Sequence, residues 1–353
     1  MTTTHATSTT TTPLVADTTE VAAHPQRYRV LTGDRPTGPL HLGHYLGTLR
    51  NRVHLQALGV ETFIVIADYQ VITDRDRPGE VGVNVRELVL DYLAAGLDPD
   101  RTTIFAHSTV PALNQLLLPF LALTSVSEMQ RNPTVKDEAT TAGISSISGL
   151  LLTYPVHQAA DILFCHANLV PVGADQLPHI EQARTIARRF NERFGGGRQL
   201  FTPPQGLLSQ TPVLLGVDGR KMSKSRGNGI ALRDDQDVTA RLIRRAVTDS
   251  ERHITYEPDR RPEVANLLLI AAMCTGFSAE QVAEQVGSGG AVALKAVVTE
   301  AVNEHLRPLR ARRSELAADD GLVRDVLRTG ADRAGTIARR TLDDVQDALG
   351  MRY

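Results

Sequence analysis

R-Y-R-V-L-T-G-D-R-P-T-G-P-L-H-L-G-H, residues 27–44, reads as a strand, a tight loop and the start of a helix. Arg27 to Thr32 are rich in β-formers; Gly33, Pro36 and Gly38 then break the extended pattern, and helical spacing opens from about Gly43 to Leu58. A second apolar run, Thr62 to Ala67, ends at Asp68 and Tyr69, and a helical stretch follows from Val81 to Ala95. The order β-α-β-α predicts a Rossmann-like, doubly wound parallel α/β sheet. Thr103 to Ala106 continues it as a third strand. Leu113 to Leu123 and Leu151 to Phe164 read as helices, and Leu169 to Val172 as a strand entering a helix through Gln182 to Phe190. This region reaches at least Gly216.

Beyond a Gly-flanked loop at 219–229 the chain turns to helix formers with 3.6-residue apolar spacing: Val238 to Val247, Val264 to Met273, Ala291 to Leu309 and Thr336 to Leu349. A chain of 353 residues suits two domains, so the expected division is an α/β catalytic domain over 27–231 and a C-terminal all-helical domain over 232–353. Residues 1–26 are Thr-rich with no Lys or Arg before Arg27, unlike a secretory signal or a transit peptide, and are expected to be a disordered tail. No apolar run is long enough to span a bilayer, and two well-separated cysteines, Cys165 and Cys274, fit a reducing cytoplasm. The net charge of -2 gives no bulk attraction to nucleic acid. Arginine clusters at 184, 188 and 189 and at 307, 310, 312 and 313 read as solvated helix faces.

In an open α/β sheet the ligand sits beyond the carboxyl ends of the strands, which places phosphate handling at residues 32–44. Pro36 and Gly38 shape the turn, Gly43 lets a flat base approach the backbone, and the following helix offers free N–H groups to anions. His41 and His44 add side-chain donors; one turn apart, they also fit metal ligands or surface histidines, although no third ligand stands near. The string K-M-S-K-S at Lys221–Ser225, flanked by Gly219, Gly227 and Gly229, is a loop carrying two cations and two hydroxyls. Together the two motifs supply what nucleotidyl transfer needs, because positioned cations stabilise the charge that develops on a leaving pyrophosphate. In L-L-T-Y-P-V-H-Q-A-A-D-I-L, Tyr154, Gln158 and Asp161 stand at i, i+4 and i+7, with the Asp161 carboxylate inside an apolar segment. Such a carboxylate needs a donor, and an indole offers one N–H and no acceptor. The same spacing fits an aspartate that caps or ion-pairs elsewhere on the helix.

H-L-G-H followed about 180 residues later by K-M-S-K-S resembles the two signatures of class I aminoacyl-tRNA synthetases. The segments Leu151–Leu163, V-P-V-G-A-D-Q at 170–176 and A-V-T-D-S-E at 246–251 are similar to the tryptophanyl members, and the similarity runs from about Tyr28 to Gly350. The resemblance implies a homodimer that activates L-tryptophan with ATP and transfers it to tRNA(Trp), with Mg²⁺ held mainly by the ATP phosphates and water, and no role for DNA or a membrane. It implies catalytic roles for His41, His44, Lys221 and Lys224. It places ATP against Arg35, Pro36, Thr37, Gly43 and His44, against Gly173, Ala174, Asp175 and Val213, and against Lys221, Met222, Ser223, Lys224 and Ser225. Tryptophan would meet Asp161, Tyr154, Gln158, Gln176 and Gln70. Gln158, Gln70 and His44 stand where the family commonly has Met, His and Asn, which marks a divergent subtype. Two other readings remain: a tyrosyl enzyme of the same architecture, and a non-catalytic paralogue that binds tRNA or a regulator.

Overall fold

Five strands form one parallel sheet in the order β3-β2-β1-β4-β5, with β1 at Arg29–Asp34, β2 at Glu61–Ile66, β3 at Thr102–Ala106, β4 at Leu169–Val172 and β5 at Gln205–Leu208. The computed structural model describes residues 13–73, 79–141, 146–209 and 212–353. Strands β2 and β3 are almost continuously buried, as expected where helices cover both faces of a parallel sheet. Strand order reverses between β1 and β4, and a crevice opens at their carboxyl ends. Gly33 is required there by space: a Cβ would lie 2.1 Å from the Val65 carbonyl oxygen of β2.

Each expected helix and strand of the α/β region forms; two helices that were not expected, Val126–Arg131 and Pro133–Thr141, stand before Gly149–Phe164, and there are three further differences. Strand β5 was not anticipated, because four residues that include Gly206 carry neither alternation nor a long apolar run. The expected helix Leu113–Leu123 is two short ones, Pro111–Gln115 and Leu117–Leu121, separated by Leu116. The first helix contains a π turn at Tyr45–Leu49 between Leu42–His44 and Arg50–Ala57, a distortion that often marks a functional segment.

The chain's beginning departs most from expectation. Residues 1–12 lie outside the described residues, but residues 13–26 are ordered rather than a disordered tail. Val15 pairs in parallel with Gly206 at the sheet edge, Ala16 N–H donates to the Gly206 carbonyl at 2.9 Å, and Thr18–Ala23 is helical with Asp17 as its cap. Val21 is 2% exposed and packs with Val30, Leu55 and Leu207. Few apolar residues suffice because they dock on an edge that needs a partner. Arg184, expected on a solvated face, is buried and donates to the carbonyls of Pro13 and Pro204.

The helices after 232 share a core with the sheet. Gly290–Ala317 packs against Val81–Ala94, where Arg313 pairs with Glu87 and Asp91. The last helix, Leu322–Ala348, returns to lie directly on β3: a Cβ on Gly330 would stand 1.8 Å from the Ile104 carbonyl oxygen, and Ala334, Ala338 and Val345 join the core around Phe105 and Phe164. Among the described residues no single helix is long and apolar enough to cross a membrane.

Candidate active site

The crevice between β1 and β4 holds a cavity of about 340 Å³. Its wall brings together Arg35 and His44 from the first loop and helix, Gln70 beyond β2, Tyr154, Gln158 and Asp161 from helix Gly149–Phe164, and Gly173 and Gln176 beyond β4. These eight are among the twenty residues assigned to the site from sequence, and the site has two ends of different make.

At one end lies the loop after β1. Asp34 Oδ2 receives Arg52 Nη1 and the Tyr92 hydroxyl, each at 2.6 Å. Burial opposes the charge on Asp34, but Arg52 and then Lys224 and His44 outweigh it and hold the carboxyl far below its usual range. Arg35 Nη1 reaches Thr73 Oγ1 at 3.4 Å, and Lys224 Nζ reaches the Arg35 carbonyl at 3.4 Å. Burial lowers the Lys224 pKa, with Asp34 acting against it. Lys221 differs: its side chain is exposed, 4.0 Å from Asp175. Met222 is buried, and Asn228 Oδ1 fixes the loop by accepting from Ser223 N–H at 2.9 Å. The Ser225 side chain lies outside the described residues.

His41 and His44 stack with ring centroids 3.7 Å apart, and His44 Nδ1 accepts from His41 N–H at 3.3 Å. Burial pushes His41 down to about 4 and His44 to about 3, with Lys224 adding to the first and His41 to the second. Both are therefore neutral near pH 7 and can offer N–H groups rather than charge. Gly43 sits against this pair: a Cβ would come within 3.1 Å of His41 Nδ1 and 3.4 Å of Met222 Sδ. Gly173 likewise leaves no room, since a Cβ would meet Asp175 Oδ1 at 2.6 Å. Pro36 and Thr37 form the turn beside Arg35. Ala174 and Asp175 lie in a 3-10 turn with Asp175 exposed, and Val213 is 64% exposed, off the cavity wall.

At the other end the donor for Asp161 proves to be His107, whose Nε2 stands 2.7 Å from Asp161 Oδ1 with both groups buried. Burial disfavours a charge on His107, yet Asp161 overrides this and raises its pKa. Asp161 thus neither caps nor ion-pairs on the helix surface. It remains on the cavity wall, held from behind. Tyr154 is nearly buried, its hydroxyl 3.4 Å from His179 Nε2. Gln70 binds His157, which binds Asn114. His107, Asn114 and His157 were not assigned from the sequence. No spacing links residues 107 and 114 to 157 and 161; only the adjacency of β3 and helix Gly149–Phe164 does.

The crevice, with neutral histidines and a lysine over the first loop and a carboxylate at its far end, belongs to a chain that resembles known proteins. The family described as "tRNA synthetases class I (W and Y)" matches residues 24–307. The chain belongs to this family. The synthetase is 40% identical over 338 residues to the tryptophan–tRNA ligase of Streptococcus agalactiae, covering 92% of this chain and 98% of that one. It is also 40% identical over 332 residues to that of Treponema pallidum, covering 92% and 97%. Among solved structures, tryptophanyl-tRNA synthetase from Campylobacter jejuni complexed with ADP and tryptophan superposes with a TM-score of 0.79 at 30% identity, covering 91% of the synthetase and 99% of that chain.

Proposed function

We propose that the synthetase is a tryptophan–tRNA ligase whose crevice binds ATP at the β1 loop and L-tryptophan against Asp161. The observation that carries this reading is one cavity wall that joins Arg35 and His44 to an Asp161 carboxylate pinned by His107 at 2.7 Å. With one oxygen taken, the carboxylate keeps acceptor capacity toward the cavity, which suits a single indole N–H. Tyr154 and Gln176 line the same wall as Asp161 and suit the amino-acid backbone.

In the first step a tryptophan carboxylate oxygen attacks the α-phosphorus of ATP, and pyrophosphate leaves with the bond electrons. Arg35, Lys224 and Lys221 stabilise the charge that grows on it, while His41 and His44 supply uncharged N–H donors. In the second step the terminal ribose hydroxyl of tRNA(Trp) attacks the adenylate carbonyl and AMP leaves. No side chain acts as a nucleophile, so positioning and electrostatics carry the rate. Asp34 and Asp161 are already engaged by Arg52, Tyr92 and His107, which suits a Mg²⁺ ion held by phosphates and water and supplying further charge neutralisation. The helices after 232 are the proposed anticodon-reading part, and a homodimer in the cytoplasm is the proposed working form, tested by sedimentation equilibrium.

Amino-acid-dependent ATP–pyrophosphate exchange tests the central reading. Exchange with tryptophan and none with tyrosine or without amino acid is expected. Exchange with tyrosine would return the tyrosyl reading, and none with either would return the non-catalytic one.

A further inference from the structure

The loop proposed to receive phosphates begins with a carboxylate that neither step of the reaction uses. Asp34 lines the cavity, and an anion there repels a triphosphate, so its presence calls for a second role. One side of it is fixed. Arg52 Nη1 and the Tyr92 hydroxyl both donate to Oδ2 at 2.6 Å, Arg52 Nη2 reaches the Gly33 carbonyl at 3.3 Å, and the guanidinium lies 5.7 Å from the centre of the Tyr92 ring. These bonds keep the carboxyl ionised throughout the neutral range. Oδ1 takes no hydrogen bond from the described residues and is not sealed from the cavity.

Lys224 reaches over the same loop. Its Nζ donates to the carbonyl of Arg35, the residue after Asp34, at 3.4 Å, a long contact for a group with three donors, and it forms no ion pair with a carboxylate of the described residues. Burial opposes its charge. Asp34 does most to restore it, ahead of Asp91, while Arg35 and Arg52 act against both. The Asp34–Arg52 pair therefore does not cancel at Lys224: the carboxylate dominates. Asp91 is itself tied to Arg313, and His41 and His44, the other titratable groups here, are neutral. We propose that Asp34, fixed by Arg52 and Tyr92, is a positioning residue whose carboxylate holds Lys224 as an ammonium over the β1 loop until phosphate oxygens replace it as counter-charge. This rests on the role proposed for Lys224 in activation. Asp34 then acts through the lysine and need not touch the substrate.

The chain has four lysines, Lys136, Lys221, Lys224 and Lys295, so each can be titrated separately by the ¹³Cε shift of labelled lysine. In the unaltered enzyme Lys224 should titrate below the other three yet remain an ammonium through pH 8, a readout that needs no variant to fold; a neutral Lys224 there would overturn the proposal. Asp34→Asn keeps the shape and an acceptor for Arg52 and Tyr92 while removing the charge. It should lower the Lys224 titration by about one pH unit and leave the other three in place. The alkaline limb of kcat for ATP–pyrophosphate exchange should move down by the same amount, with no rise in the KM for ATP at pH 7. Tyr92→Phe, which removes a hydrogen bond but not the charge, should leave the Lys224 titration where it is. No movement in Asp34→Asn, or equal movement in Tyr92→Phe, would show that packing rather than the carboxylate holds the lysine, and would overturn the proposal. A moved titration with an unmoved kcat limb would show that activation does not use the charge of Lys224, so that the underlying role, rather than the effect of Asp34 on the lysine, has failed.

Discussion

At the proposed phosphate end of the site the working groups come from two short stretches, 32–44 and 221–225, while at the proposed amino-acid end they come from five separated places in the chain: 70, 107, 114, 154–161 and 176. The difference follows from what each end must recognise. A triphosphate is bound by backbone, small residues and cations, and these can lie side by side in one loop. An indole in a dry pocket needs an acceptor held rigidly, and a buried acceptor needs its own donor, which the fold supplies from another element.

The largest effect is expected at the phosphate end. Lys224→Ala should slow tryptophanyl-adenylate formation by roughly two to three decades with little change in tryptophan affinity, because its ammonium acts on charge that appears only in the transition state. Single-turnover activation measures it. Normal activation with slow transfer to tRNA would remove Lys224 from this role and with it the assignment of that end.

Asp161→Asn is the matching test of the other end, with an expected loss of about one to two decades in kcat/KM for tryptophan. His107 Nε2–H donates to whatever oxygen residue 161 offers, so the new amide presents its NH₂ to the cavity, donor against donor. The pKa of His107, raised by Asp161 against burial, should fall in this variant. Unchanged kcat/KM together with an unchanged His107 titration would separate the pair from substrate binding.

The same contrast explains what was legible before the fold was known. Gly33, Gly43 and Lys221–Ser225 declare themselves in the sequence because a loop motif is local, and the apolar strand periods place them at the right end of the sheet. Asp161 was legible as a buried carboxylate on a helix, but its partner was not, because His107 stands 54 residues away and only the position of β3 beside helix Gly149–Phe164 brings them together. The reach of Lys224 and the exposure of Lys221 were likewise hidden, since they depend on how one loop folds over another. Val213 was placed near the nucleotide by resemblance and lies exposed, off the wall. The first ordered residues, 13–26, were misread because composition records how little apolar surface they carry, not that a sheet edge awaits it.

That edge gives a perturbation aimed at neither end. Removal of residues 1–26 uncovers Val30, Leu55 and Leu207 and releases Arg184 from the Pro13 carbonyl. Burial of Val21 and Ala16, net of the entropy of ordering the segment, corresponds to a loss of about 1–2 kcal/mol in stability. Thermal unfolding should show a lower Tm, with the ratio of ATP to tryptophan KM values unchanged below it. An unaltered Tm would mean that the docked segment contributes no net stability.

The smallest effect on activity is expected from mild acid at the phosphate end. His41 and His44 have folded pKa values of about 4 and about 3, below the value near 6.5 of an unfolded histidine. As the pH falls below 6.5 the unfolded chain takes up their protons and the folded one does not, so each costs up to about 1.4 kcal/mol of stability per pH unit down to its folded pKa. His107 has the opposite sign: its raised pKa contributes stability below 6.5 that is lost as pH rises through the folded value. Activity should behave differently from stability. Both phosphate-end histidines stay neutral in the folded enzyme across pH 5.5–8, so saturating ATP–pyrophosphate exchange should be flat on their account while the Tm declines toward acid. An acid limb centred near pH 6.5 that His44→Asn abolishes would show an imidazolium at work. The phosphate end would then rely on a switchable charge, and its contrast with the amino-acid end, where His107 carries the raised pKa, would be lost.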